Sequence, residues 1–522
     1  MTSPQEKLAD ALEALEAMQA QGIVAVRSSD LSRAHRERLL KNGFLQEVMK
    51  GWYIPARPDE RAGETTAWYA SYWAFCAAYL NQRFGAQWCL SAEQSLFFHA
   101  GRRTVPRQLL VRASRGRNKP TALPHGTSLF DLRAELPAPE YLTQMHGLRL
   151  YTLPAALVFS GPGLFAENPT EARTALAMIA DASDVLAILL EGGHSTIAGR
   201  LVGAFRNIGR ERVAEQIVTT MKSADYDVRE NDPFQQPAPF AITAREPSPY
   251  VMRMRLMWHT MREDIPPLFP RAPKNKVDTD AYMKRVEEVY VTDAYHSLSI
   301  EGYQVTRTLI ERVRAGAWNA ENIGENIEQD REQRNALAAR GYYDAFQSVK
   351  ESVKKVLKQQ TPGTVADKDH AKWYAALFGP SVTAGILRPG DLAGYRNGPV
   401  HIRNSMHTPP AREAVRDMMP VLFELLAQES HPAVRVVLGH FVFVYIHPYM
   451  DGNGRMGRFL MNVMLAAGAY PWTVIPVQRR EDYMAALESA SVEADIKPFA
   501  SFLGELVQDA LAGKPGPEIP GE

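Results

Sequence analysis

Apolar positions recur at helical spacing from the start of the chain. Leu8, Leu12, Leu15 and Met18 lie three or four apart and predict an amphipathic helix. Ser29 and Ser32 read as N-caps of two short helices, the second ending at Gly43. From Phe44 to Pro55 the pattern switches to alternation about Lys50-Gly51, which predicts a hairpin. Further on, apolar helical stretches run over Ala67 to Leu80, Ala92 to Ala100, Thr170 to Leu190 and Ala198 to Met221, and QLLVRAS reads as a strand. Between Asp232 and Tyr250 the prolines 233, 237, 239, 247 and 249 interrupt any periodicity, and Pro266, Pro267, Pro270 and Pro273 repeat the signal. From Asp278 the pattern is helical again, broken only by RPGDLAGYRNGPVHIRNSMHTPP.

These shifts divide the chain into five parts. Residues 1–57, with helix, turn, helix and hairpin, outline a winged helix. Residues 58–230 are a mixed α/β regulatory region, and 231–277 a Pro-rich linker and lead-in. Residues 278–511 form a helical domain, and 512–522 a polar tail expected to fray. The fold class is mainly α.

Composition adds mostly exclusions. At 522 residues, with 45% hydrophobic and 23% charged side chains, the chain is ordinary globular protein rather than disordered or fibrous. Lys+Arg and Asp+Glu are both 59, so attraction to nucleic acid needs a local patch. Two cysteines, Cys76 and Cys89, are too few for a disulfide framework or a cysteine-built zinc site. The first residues lack the basic and apolar regions of a signal peptide. The longest apolar run, Val436 to Ile446, is too short to span a bilayer. A cytoplasmic protein with no membrane partner is expected.

The chemistry is concentrated between His440 and Gly468, where an apolar helix, a polar loop and a second apolar helix follow one another. A glycine-bracketed loop feeding a helix N-terminus is a ready anion site, because backbone N–H groups and the helix dipole both face the ligand. Gly452 and Gly454 let backbone approach a phosphate. Asp451 is a hard oxygen ligand suited to Mg²⁺. Arg455 and Arg458 share a helical face and suit phosphate oxygens. His447, at the mouth of the loop, could take a proton from a hydroxyl. Each piece alone is commonplace; together they imply transfer from a nucleoside triphosphate.

The run from His447 to Arg458, HPYMDGNGRMGR, resembles the Fic motif HPFx[D/E]GNGRxxR, with Tyr449 where that family usually has Phe. Beyond the motif, Tyr395-Arg396, a strand at Val400, His401 and Ile402, and Pro409-Pro410 resemble the family's flap, a small β-hairpin that clamps a target segment. Tyr483 to Leu487 resembles its Y-x-A-L helix near the adenine, and Asp495 to Leu503 its closing D-x-x-P-F stretch. The resemblance covers about Asp278 to Leu511. It implies an all-helical Fic core transferring AMP from ATP to a Tyr, Thr or Ser hydroxyl of a protein substrate, the chain itself included. In that scheme His447 is the general base and Asp451 the Mg²⁺ ligand. Gly452, Asn453 and Gly454 form the anion hole, Arg455 and Arg458 hold the leaving and γ-phosphates, and Tyr483 serves the nucleotide. Gly454 and Arg458 argue against the Doc-type kinases, which carry Lys at the former position and lack the final arginine. Relatives that transfer UMP or phosphocholine share most of the motif.

Upstream, Ser297, Glu301 and Gly302 match the family's inhibitory pattern [S/T]xxxE[G/N]. The resemblance implies that Glu301 pairs with Arg458, displacing ATP, and leaves a reverse, deAMPylating activity open. The front half differs in kind. Arg33, Arg36, Arg38 and Lys41 on the second helix, and basic residues from Arg102 to Lys119, give a DNA-binding footprint. That half resembles AbiEi-type antitoxins. A duplex-DNA partner, a homodimer, and a DNA-binding regulator with a nucleotide-sensing Fic domain remain open as alternatives.

Overall fold

The computed structural model describes residues 3–58, 64–242, 247–274, 277–317 and 331–520. It divides into two compact units: residues 1–253 with His401–Thr408, and residues 254–400 with 409–522.

The first unit holds every strand among the described residues. It opens with α1 (Pro4–Ala20), β1 (Val26–Arg27), α2 (Arg33–Lys41), β2 (Leu45–Met49) and β3 (Trp52–Pro55). The sheet order is β1-β3-β2, with the hairpin turn where alternation placed it. Ser32 caps α2, its hydroxyl accepting from His35 N–H, and Gly43 at φ +76° ends it. Ser29 caps nothing: residues 28–31 turn, and its hydroxyl donates to Asp30.

α3 (Thr66–Phe84), β4 (Trp88–Leu90), α4 (Ala92–His99), β5 (Gln108–Ala113), β6 (Pro120–Ala122) and β7 (Ser128–Arg133) follow, the strands pairing as β4-β5-β7-β6. β8 (Leu142–Met145) and β9 (Leu148–Tyr151) form a separate pair. Ala11, Leu15, Val26, Leu31, Leu39, Leu45 and Tyr53 form a core within residues 1–57, while Trp52 and Ile54 of β3 join a second cluster with Trp68, Tyr72 and Phe75 of α3. The unit continues with α5 (Leu153–Phe159), α6 (Gly163–Glu167), α7 (Pro169–Met178), α8 (Ser183–Glu191), α9 (Ser195–Asn207) and α10 (Glu211–Ser223). Two stretches expected as single helices are therefore each broken in two. Ile179 leaves helical backbone in the first, and Gly209 (φ +81°) turns the chain in the second.

α11 (Pro249–Met261) lies inside the stretch expected as a linker, and the division between units falls within it. The second unit is helical: α12 (Thr279–Ile300), α13 (Arg307–Arg314), α14 (Arg331–Leu357), α15 (Pro362–Thr383), α16 (Arg412–Gln428), α17 (Pro432–Ile446), α18 (Asn453–Ala467), α19 (Arg480–Glu488) and α20 (Lys497–Leu511). α17 and α18 are almost wholly buried, as a central helical pair must be to place a polar loop between them. The tail does not fray throughout: Ile519 is buried, and the carbonyl of Pro517 accepts from His296 Nε2 on α12.

Candidate active site

α17 ends because His447 adopts the left-handed conformation, φ +53°, turning the chain into the loop. Its Nδ1 lies 3.1 Å from the Val444 carbonyl. A carbonyl only accepts, so Nδ1 carries the proton and Nε2 keeps its lone pair. Burial pulls the His447 pKa down to about 4, against the bond to Val444, so the ring is neutral at neutral pH. Arg396, itself buried, steadies the turn: its Nε donates to the His447 carbonyl at 2.8 Å and its backbone N–H to the Pro448 carbonyl at 2.9 Å.

The loop closes on itself through Asn453. Its Oδ1 accepts from Tyr449 N–H (2.9 Å) and its Nδ2 donates to the Tyr449 carbonyl (2.8 Å). The Tyr449 ring stacks on Tyr374, centroids 3.8 Å apart, so the Phe-to-Tyr departure is absorbed in an aromatic stack. Gly452 sits at φ +78° with the Phe378 ring 2.8 Å from where a Cβ would stand. α18 makes its first turn bond from Met456 N–H to the Gly452 carbonyl. The N–H groups of Asn453, Gly454 and Arg455 precede that bond and, as at any helix start, have no acceptor within the helix. They are the donors an anion would meet.

Both arginines are buried. Arg455 lies over the rings of Tyr303 and Phe378, and its Nη2 is 3.4 Å from Asp451 Oδ2. Asp451 also accepts from Gly452 N–H, at 2.6 Å, and its side chain is 66% exposed. Among the described residues no group of three or more His, Cys, Asp or Glu side chains could enclose a metal. One exposed carboxylate beside an anion cradle still fits Mg²⁺, which keeps waters and shares phosphate oxygens. A cavity of about 760 Å³ opens on Asp451 and Arg455 and is walled by Tyr303, Tyr374 and Phe378.

Arg458 faces α12. Its Nε donates to Ser297 Oγ (2.8 Å), and its Nη2 to the Ser297 carbonyl (3.0 Å) and to Glu301 Oε1 (2.5 Å). Burial raises the Glu301 carboxyl, but the charges of Arg458 and Arg455 reverse this and hold it below its usual range. Gly454 permits the approach: a Cβ there would stand 2.3 Å from Glu301 Oε1. Gly302, at φ +90°, turns the chain away after the helix.

The structure thus brings His447, Asp451, Gly452 to Arg455, Arg458, Ser297 and Glu301 together. Three other expectations fare differently. Tyr483 is buried, its hydroxyl 2.7 Å from His440 Nε2 and its ring among Phe499 and Phe502, and it does not line the cavity. Val400, His401 and Ile402 form no strand, and His401–Thr408 belong to the first unit. On α2, Arg33 pairs with Glu37, Arg36 donates to the Ser28 carbonyl and Arg38 to the Lys7 carbonyl, while Lys41 is exposed. Arg102, Arg112 and Arg117 are likewise bonded to Asn168, the Glu135 carbonyl and Thr121. Residues the sequence reading passed over are Asp293, Tyr303, Tyr342 and Phe378. Only Asp293 left a signal, four residues before Ser297 on the same helical face.

No helix among the described residues is long and apolar enough to cross a membrane. Residues 368–465 match the model of the Fic/DOC family. The chain is 30% identical over 238 residues to Protein adenylyltransferase Fic of Nematostella vectensis, covering 44% of this chain and 50% of that one. To the protein of the same name from Drosophila willistoni it is 28% identical over 239 residues, covering 44% and 43%. The chain thus spans about half the length of these curated relatives, or less. Among solved structures, Fic-1 (residues 134–508) of C. elegans aligns over 67% of this chain and 96% of that one, at 18% identity and a TM-score of 0.37. The loop between α17 and α18 and the helices that carry it are a Fic/DOC-family domain.

Proposed function

We propose that this chain is a protein adenylyltransferase, moving AMP from ATP to a hydroxyl of a protein substrate, the chain itself included, and restrained by Glu301. The observation that carries the reading is the convergence of a neutral His447 whose Nε2 is unprotonated, three N–H groups at the start of α18 with no acceptor within the helix, and two buried arginines.

In this reading His447 Nε2 takes the proton of the target hydroxyl as its oxygen attacks the α-phosphorus. The bond to the β-phosphate oxygen breaks and pyrophosphate departs. The N–H groups of Asn453, Gly454 and Arg455 receive the charge that builds on the α-phosphate oxygens. Arg455 holds the leaving phosphates, and Arg458 the γ-phosphate. Asp451 would hold Mg²⁺, which neutralises phosphate charge when bound. Glu301 competes because Arg458 Nη2 already spends a short charged bond on it. A duplex-DNA partner for the first unit is not favoured by α2, where Arg33 pairs with Glu37 and Arg36 and Arg38 each donate to a backbone carbonyl.

His447→Ala should lower AMP transfer by roughly 10²–10⁴-fold, the usual contribution of a positioned base, while ATP binding stays near that of the unaltered protein. The measurement is incorporation of label from α-labelled ATP alongside calorimetric binding. Equal labelling by the variant and the unaltered chain would end the assignment of the base.

A further inference from the structure

Arg458 is gripped by α12 at two points, and only one of them is Glu301. The second is Ser297, which receives Nε on its hydroxyl and Nη2 on its carbonyl. One turn earlier lies Asp293, so Asp293, Ser297 and Glu301 repeat at i, i+4 and i+8 along one face of the helix. Asp293 is 5% exposed. Its Oδ2 accepts from the Tyr342 hydroxyl of α14 at 2.7 Å, and the Ser297 side chain lies beside that hydroxyl. The Tyr342 ring lies 4.9 Å from that of Phe459, the neighbour of Arg458 on α18. Arg458 is thus bonded to Ser297, and beside Ser297 stands a hydroxyl that donates to a buried carboxylate. Each hydroxyl that donates onward becomes a better acceptor for the group behind it.

A carboxylate at this place is costly to the fold. Among the described residues it has no ion pair, and burial pushes it up to about 6 in spite of the bond from Tyr342 and the charge of Arg458. The titratable and charged groups that face it are Tyr342 from α14, Arg458 from α18 and Tyr290 on α12 itself. An apolar or amide side chain would pack there at less expense, so the acid serves Arg458 rather than stability.

We propose that Asp293 is a positioning residue for Arg458: through Tyr342 and Ser297 it keeps the guanidinium oriented after the Glu301 carboxylate has been displaced, so that the arginine meets the terminal phosphate of ATP already aligned. Glu301 is the arm that lets go, and Asp293 anchors the arm that stays. The inference rests on the adenylyl-transfer reading and adds the residue that prepares its γ-phosphate contact.

The test uses the full chain carrying Glu301→Gly, with and without Asp293→Asn. Asparagine keeps an oxygen for Tyr342, removes the charge and turns the other oxygen into an N–H donor. Initial rates of self-labelling across ATP concentrations from pH 5 to 9 should show kcat/KM for ATP falling about tenfold, mostly through KM, as removal of an outer partner of a binding group commonly does. The single variant should lose ATP affinity as pH drops through about 6, and the double variant should not. The melting temperature of the double variant should equal or exceed that of the single one, which separates lost positioning from lost folding. Tyr342→Phe should reproduce the weakened ATP use and add nothing to Asp293→Asn. An unchanged KM with the acid limb intact would overturn the proposal. Calorimetric binding of Mg·ATP to the same pair of proteins reads the effect without any transfer. If Glu301→Gly labels nothing, the transfer reading fails, while a tenfold affinity difference between the two proteins still supports Asp293 and equal affinities still refute it.

Discussion

The end of α12 and the stretch 399–408 invite comparison, because both read from the sequence as segments that control the motif loop. The first takes the expected form. Ser297 and Glu301 lie one turn apart on a helix and meet a single buried guanidinium. The second does not. No strand forms, and the hydrogen bonds of residues 403–406 go to the first unit: Arg403 to Glu64, Asn404 to Thr65 and Thr66, and the Met406 carbonyl to Val105 N–H. A helical pattern carries its own geometry, since spacing alone puts two side chains on one face. A loop's backbone bonds go wherever an acceptor lies, here more than 300 residues away in sequence, and no local pattern encodes that.

The sharpest way to break the comparison is Glu301→Gly. If α12 restrains the site through one charged bond, removing it should raise self-labelling roughly 10–100-fold, since a hydrogen bond to a charged group contributes about 1.5–3 kcal/mol. The double variant Glu301→Gly with Arg458→Ala should fall back below the unaltered chain, because relief matters only if the arginine remains to receive phosphate. Initial rates for the four proteins of the cycle check this. A Glu301→Gly protein no faster than its parent would make Ser297 to Gly302 an ordinary helix end.

A second way uses pH, and it reads the packing behind Arg458. His440 on α17 is fully buried with Nε2 on the Tyr483 hydroxyl, and burial pulls it down to about 4. Its folded pKa thus lies below its unfolded value near 6.5, so between those two values the unfolded chain binds the extra proton. The stability that neutral His440 contributes is intact above about 6.5 and is lost as pH falls toward 4, amounting to about 3 kcal/mol. Asp293 acts in the opposite sense, because its folded pKa is raised: its contribution is present below 3.8 and is lost as pH climbs to about 6. The two trends oppose each other in the unaltered chain, so a difference measurement is needed. The stability gap between it and His440→Gln should shrink as pH drops from 6.5 to 4. A gap constant over that range would mean that His440 is charged or solvated in the fold.

Much of the second unit was legible because its signals are local. The run from His447 to Arg458 needs one turn, one helix start and two arginines on one face, and the structure supplies all four. The misses share a different cause. Pro249 belongs to a proline cluster read as linker, yet proline is favoured at the first position of a helix, and α11 starts on it. Tyr483 was expected at the nucleotide from resemblance, whereas its partners His440, Phe499 and Phe502 come from three-dimensional packing that spacing does not reveal. In the first unit the arginines of α2 were read by number, and number does not distinguish a solvated charge from one bonded to a carbonyl.

The smallest expected effect concerns the other member of the comparison. Arg403 meets Glu64 through two bonds, with side chains 58% and 9% exposed. An ion pair open to water on one side contributes roughly 0–1 kcal/mol, while the Met406 side chain packs against the apolar cluster of the first unit and its carbonyl bonds Val105 N–H at 2.9 Å. Packing and backbone bonding should therefore hold residues 401–408 more firmly than charge does. Arg403→Gln should shift the melting temperature by no more than about 2–4 °C, the change expected from 1 kcal/mol in a domain of this size. Met406→Ala should cost more than Arg403→Gln and should speed hydrogen exchange at the Val105 amide. If the charge variant proves the more damaging, the segment is held mainly by its exposed pair. Added salt would then loosen it, and the contrast with the Glu301–Arg458 pair on α12 would widen.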